Sequence, residues 1–162
     1  MQALISAVGG DKVGIKLSAF HPYGDMVLDD PAATYTYLIE QLNGLDFAYV
    51  ELMKRSPYFP SPSHYPVDDE LEYFGNKIRQ TVIANAGYDK SNAEAELEKG
   101  IAKMVSFGTL FLSNPDLPKR FELNAELNQP DRATMFGGGE EGYIDYPFLN
   151  EKFIATVAAK GD

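Results

Sequence analysis

The sequence predicts an α/β fold of four parallel βα units. Four short apolar segments recur along the chain, and between them lie stretches whose apolar residues repeat at helical spacing. Such alternation implies a parallel sheet, because parallel neighbours need a crossover between them. No low-complexity linker separates any part of residues 1–162, so the chain reads as a single domain unit.

The opening residues read as the last turns of a helix. Leu4, Ile5 and Val8 share a face, and Gly9 offers a left-handed cap, so the chain looks cut inside a helix. Residues 13–18 form the first strand. Asp30 then offers an N-cap with Pro31 at the first helical position, and Tyr35, Leu38, Ile39 and Leu42 repeat at i, i+3, i+4 and i+7 before Gly44. Residues 47–53 are the second strand, followed by a loop with Pro57, Pro60, Pro62 and Pro66. Leu71, Phe74 and Ile78 mark the next helix. Residues 81–86 are the third strand, Ser91 and Glu94 have the form of a capping box, and Gly100 closes that helix. Residues 103–107 are the fourth strand. Asn114-Pro115 begins a short helix, and a glycine turn at 137–139 precedes a final helix near 150–158.

Composition narrows the function. At 162 residues the chain can bury a core but falls short of the roughly 250 residues of a complete (β/α)₈ barrel. Its net charge of −10 argues against a nucleic-acid partner, since such binding needs Lys and Arg against phosphates. With no cysteine there is no disulfide, thiolate zinc site or cysteine nucleophile, a composition that fits a cytoplasmic protein. No apolar run approaches the roughly 18 residues that span a bilayer, and no membrane partner is expected.

The third and fourth strands each run into a glycine, in Ala84-Asn-Ala-Gly-Tyr88 and Val105-Ser-Phe-Gly-Thr109. Glycine at a strand's C-terminal end lets backbone N–H groups approach an anion, or merely permits a tight turn. His21 and His64 lie in loops far apart in sequence and read as solvent-facing or locally packed, with no metal site. Asp29-Asp30 and residues 68–70 sit where helices begin, complementing the helix dipole. Glu94, Glu96 and Glu98 read as a solvated helix face. The loop at 56–66, with Tyr58, Phe59 and Tyr65, reads either as part of an active-site rim or as a rigid cover.

Two stretches, 106–121 (with Asn114-Pro-Asp-Leu117) and 131–147 (Asp-Arg, then Gly-Gly-Gly, then Gly-Tyr-Ile-Asp-Tyr-Pro), resemble the C-terminal end of the Old Yellow Enzyme family. Residues 11–18, 83–88 and 105–109 are similar to that family's fifth, seventh and eighth strands. The resemblance implies the C-terminal half of a (β/α)₈ TIM barrel, hence a partial domain. It also implies FMN, with NADH or NADPH as reductant, and reduction of the activated C=C bond of an enone-type small molecule. Within such a barrel the apolar residues Val13, Ile15, Leu17, Ala48, Val50 and Leu52 face outer helices, while Gly14, Lys16, Ser18, Tyr49, Glu51 and Met53 face inward.

Carried over residue by residue, the resemblance places Lys16 where the family commonly has an arginine at the pyrimidine edge of the flavin. A Lys16–Glu51 ion pair would compete for that charge. Ala86, Gly87, Tyr88, Gly108 and Thr109 fall on the cofactor-phosphate loops, with Thr109 where the family often has arginine. Phe136 falls on the substrate wall, in Met135-Phe136 where the family often has Phe-Tyr. The carbonyl-holding His/Asn or His/His pair and the proton-donating tyrosine belong to the family's first half-barrel and have no counterpart here, so no catalytic residue is assigned. The implied partner is a separate N-terminal half-barrel or a second copy of the chain. A non-catalytic half-barrel and a small domain binding another phosphorylated ligand stand as alternatives.

Overall fold

The computed structural model describes residues 1–55, 62, 65, 68–137 and 139–149. They fall into two compact units, one ending at Ser106 and the other beginning at Phe107.

The first unit is built on strands β1 (Gly14–Leu17), β2 (Tyr49–Met53), β3 (Thr81–Asn85) and β4 (Met104–Ser106). All neighbours are parallel and the order is β1-β2-β3-β4. Among the described residues, β1 and β4 are therefore edge strands. Register places Lys16 opposite Glu51 and Asn85 opposite Ser106.

Alternation along the strands divides the sheet into two faces. Leu17, Val50, Leu52, Val82 and Ala84 are buried, while Lys16, Glu51, Met53, Ile83 and Asn85 retain exposure. Helices cover the buried face. Helix α2 (Pro31–Asn43) buries Ile39 and Leu42, helix α3 (Glu70–Gly75) packs Gly75 beside Leu52, and helix α4 (Lys90–Glu98) buries Ala93. Lys16 and Glu51 thus point away from the helices, as the alternation predicts.

Gly14 has a steric reason. A Cβ there would collide with the ring of Tyr49, its register partner. Gly14→Val is therefore expected to cost about 1–3 kcal/mol through overpacking, read as a lower urea midpoint at unchanged slope.

Several boundaries differ from the sequence expectation. Helix α1 (Gln2–Val8) forms with no buried residue, and Gly9 sits at φ 90° and ψ 142° rather than in the left-handed helical cap. Helix α3 ends before Ile78, whose N–H donates to the Gly75 carbonyl in a turn. The capping box of α4 is Asp89 with Asn92, not Ser91 with Glu94. Asp89 Oδ1 accepts from Asn92 N at 2.9 Å while Asn92 Oδ1 accepts from Asp89 N at 2.7 Å, so the helix starts earlier. The final helix expected near 150–158, and most of the loop at 56–66 with His64, lie outside the described residues.

The second unit holds α5 (Thr109–Ser113), α6 (Leu117–Leu123) and turns over 132–137 and 139–144. The sequence reading missed α5, a single turn with no capping side chain to announce it. Asn114 accepts from Asn128 N at 2.7 Å and donates to the Leu110 carbonyl at 2.9 Å, tying α5 to the segment after α6. Arg120 is buried. Its Nε donates to Asp116 Oδ1 at 2.7 Å, and its terminal nitrogens donate to the carbonyls of Glu126 and Pro147, each at 2.7 Å.

Candidate functional site

One polar side chain from each strand meets on the open face of the sheet. Lys16 Nζ donates to Glu51 Oε1 at 3.0 Å and to Asn85 Oδ1 at 2.9 Å. Asn85 Nδ2 donates to Ser106 Oγ at 2.7 Å, and that hydroxyl donates to Glu51 Oε1 at 2.9 Å. The result is a closed circuit across all four strands. The Lys16–Glu51 ion pair weighed from sequence is therefore present, with side-chain exposures of 49% and 20%. An ammonium carries three N–H donors, so one remains for a ligand.

Sequence reasoning identified Lys16 and Glu51 but missed Asn85 and Ser106. Their signal was available, because both occupy the last strand position, in phase with the open face.

Immediately after β3, Ala86 and Gly87 adopt φ of 81° and 73°. Two successive positive φ values at a strand end, one on alanine, are costly and mark a turn held by its surroundings. Gly87 is exposed, and a Cβ there would meet nothing within 4 Å, so its backbone lies open to a ligand. Tyr88 supplies the anchor. Its side chain is buried, its hydroxyl donates to Glu96 Oε2 at 3.1 Å, and Lys54 Nζ lies 3.9 Å from its ring centroid. Burial, reinforced by the Glu96 charge, pushes the Tyr88 phenol far above its ordinary range, so it stays a neutral donor. Only its backbone is left for a cofactor.

Glu96 is buried rather than solvated as expected. Lys99 Nζ sits 3.2 Å from its Oε1 and 3.4 Å from Asp69 Oδ2. Asp69 caps α3 by accepting from Glu72 N at 3.0 Å. Burial alone would raise its carboxyl, but that N–H and the Lys99 ammonium outweigh it and hold Asp69 below the usual range. Glu70, expected only to complement the dipole, is buried and accepts from Arg55 Nε at 2.6 Å. These contacts join the ends of β2 and β3 to α3 and α4. His21 is buried, with its ring 6.2 Å from that of Tyr23.

In the second unit, Gly108 is exposed, and a Cβ there would meet nothing within 4 Å; it precedes Thr109 at the start of α5. Phe136 is 89% exposed while Met135 beside it is buried. A cleft of about 250 Å³ is lined by Asp131, Thr134, Glu141, Gly142, Asp145 and Tyr146, among others. Among the described residues no cluster of His, Asp or Glu could hold a metal, and no helix is long and apolar enough to cross a membrane.

The sequence profile of the NADH:flavin oxidoreductase / NADH oxidase family matches residues 1–128. The chain belongs to this family. It is 37% identical over 153 residues to 12-oxophytodienoate reductase 1 of Oryza sativa subsp. japonica, covering 93% of this chain and 40% of that protein. Among solved structures it resembles morphinone reductase in complex with tetrahydroNAD, at TM-score 0.78 and 36% identity, over 93% of this chain and 39% of that one. The old yellow enzyme from Trypanosoma cruzi superposes at TM-score 0.80 with 26% identity, over 92% of this chain and 38% of that one. The chain thus spans about two fifths of the length of the relatives it matches. Four parallel βα units at that coverage fit half of the family's (β/α)₈ barrel.

The flavin oxidoreductase family uses FMN with NADH or NADPH. The residues of this chain are compatible with such a ligand. An open glycine turn after β3 suits an anionic group, and the remaining Lys16 N–H suits a ring acceptor. By contrast, the Asn-Pro-Asp-Leu motif that carries much of the resemblance is internal scaffolding, bonded within its own unit.

Proposed function

We propose that this chain supplies half of an FMN-binding, NAD(P)H-dependent oxidoreductase that reduces the activated C=C bond of enones. The four-strand circuit of Lys16, Glu51, Asn85 and Ser106 carries the reading, since a barrel interior holds such groups only when they are satisfied or used. Bound FMN would relay hydride from a nicotinamide to the alkene.

Lys16 would donate its third N–H to the flavin ring. The backbone of Ala86, Gly87 and Tyr88 would face the cofactor phosphate, held by the buried Tyr88–Glu96 bond. Gly108 and Thr109 would add backbone and hydroxyl donors, and Phe136 an aromatic surface for substrate. Relatives named 12-oxophytodienoate reductase and morphinone reductase support a reductase reading. A proton donor and a carbonyl clamp would come from the other half of a barrel, and a cysteine-free chain suits a cytoplasmic setting.

A second reading has a specific observation behind it. The edges of β1 and β4 and the open sheet face suit assembly with a first half-barrel or with a second copy. One experiment addresses both. Purified chain is incubated with FMN, desalted, and assayed for flavin absorbance and for NADPH oxidation by cyclohexenone, with and without the N-terminal half of a relative. Retained flavin, with turnover only after the half is added, is expected. A colourless, inactive mixture, or preferential binding of a sugar phosphate, would overturn the proposal.

A further inference from the structure

The circuit on the open sheet face is electrically balanced. Lys16 is the one ammonium in it and Glu51 the one carboxylate, 3.0 Å apart. Glu51 Oε1 accepts from both Lys16 and Ser106, whereas Oε2 has no partner among the described residues. Lys16 uses two of its three donors on Glu51 and Asn85. What the face offers a ligand is therefore one N–H donor beside one carboxylate acceptor, at no net charge.

A lone lysine would behave differently. It is a flexible, strongly hydrated point charge that attracts any anion. Pairing it with Glu51 cancels that attraction, and the bond to Asn85 fixes its direction. We infer that Glu51 is a specificity-determining residue, which orients and neutralises Lys16 so that this face selects an uncharged ring edge carrying adjacent C=O and N–H groups, an imide, over an anion. The inference rests on the flavin reading above and assigns the ring edge that the strands would meet. Lys16 donates to the ring carbonyl, and Glu51 Oε2 accepts from the neighbouring ring N–H. A partner lacking that N–H leaves the carboxylate unpaired, which is where discrimination arises.

The test uses the whole chain, as wild type, Glu51→Gln and Glu51→Asp. Lumiflavin, which has no phosphate, and its N3-methyl derivative are titrated by flavin fluorescence, and benzoate by competition. Wild type is expected to bind lumiflavin roughly tenfold more tightly than the N3-methyl ring. Glu51→Gln is expected to lose that preference and to gain benzoate affinity, while Glu51→Asp keeps benzoate weak. Equal binding of the two flavins by wild type, or full discrimination in Glu51→Gln, would overturn the inference.

A second measurement separates this outcome from failure of the flavin reading. Acetylation of Lys16 is followed by peptide mapping against exposed Lys12. Slow labelling of Lys16 in wild type and fast labelling in Glu51→Gln supports the positioning role, even if neither protein binds flavin, a result that would overturn the proposed function and the ring selectivity alone. Identical labelling in both proteins overturns the positioning role itself.

Discussion

Replacing Arg120 with alanine is expected to destabilise the second unit by about 3–5 kcal/mol, the usual consequence of stranding one member of a buried ion pair. Arg120 and Asp116 have side-chain exposures of only 5% and 15%. The guanidinium also closes the unit, since it reaches the carbonyls of Glu126 and Pro147 while Asp116 Oδ2 accepts from Leu149 N at 2.7 Å. Removing it strips the donor from Asp116 Oδ1 and from the Glu126 carbonyl, while the Pro147 carbonyl keeps only Asn128 Nδ2 at 2.8 Å. Differential scanning calorimetry should show the loss, and Arg120→Lys should recover little, because an ammonium lacks the planar fork.

The same pair gives a pH dependence. Burial alone would raise the Asp116 carboxyl, but the Arg120 guanidinium and the Leu149 N–H outweigh it and hold it below its ordinary value. A depressed folded value means that the unfolded chain takes up the proton first. The stabilisation is thus complete above about pH 4 and is lost as pH falls through the folded value. Acid unfolding followed by near-UV circular dichroism should show this, and Asp116→Asn should flatten the profile.

Phe74→Ala is expected to cost about 3–5 kcal/mol as well, by opening a cavity in the first unit. Phe74 is 0% exposed and lies against Phe20 at 5.4 Å, Tyr73 at 4.9 Å and Tyr35 at 6.2 Å between ring centroids. Phe20 continues the cluster to Tyr65 at 5.3 Å, and the Arg55 guanidinium lies 5.0 Å from the Phe20 ring. Tyr65 OH in turn accepts from Leu28 N at 3.2 Å. This aromatic group packs the segments that leave β1 and β2, so the substitution should loosen the C-terminal ends of the strands on which Lys16 and Glu51 lie. Urea titration would give the stability loss, and hydrogen exchange at residues 18–28 would report the loosening. Phe74→Leu should retain part of the stability by filling some of the cavity.

The four strands were legible because alternation of apolar residues survives translation into structure. Val50 and Leu52 face the helices while Glu51 does not, as the period of two requires. Asn85 and Ser106 lay inside the strands read at 81–86 and 103–107 but were missed, because the inward alternation was followed only along the first two strands. The α4 cap was displaced because Asp89 and Ser91 are both competent caps, and only the reciprocal bond with Asn92 chose between them. Buried Glu96 contradicted its own pattern. Periodicity sends a glutamate on that face to solvent, and the partners that retain it, Tyr88 and Lys99, were not recognised from sequence. The Asp116–Arg120 pair at i, i+4 was not read from sequence, and neither were the distant carbonyls of Glu126 and Pro147 that share its guanidinium.

The central claim is that the strand-end circuit around Lys16 faces a flavin. Its most direct measurement is the FMN dissociation constant of the chain and of Lys16→Met, titrated by flavin fluorescence at fixed ionic strength. Loss of one charge-assisted bond predicts FMN binding roughly tenfold weaker in Lys16→Met. Equal FMN affinity for the two proteins would contradict it.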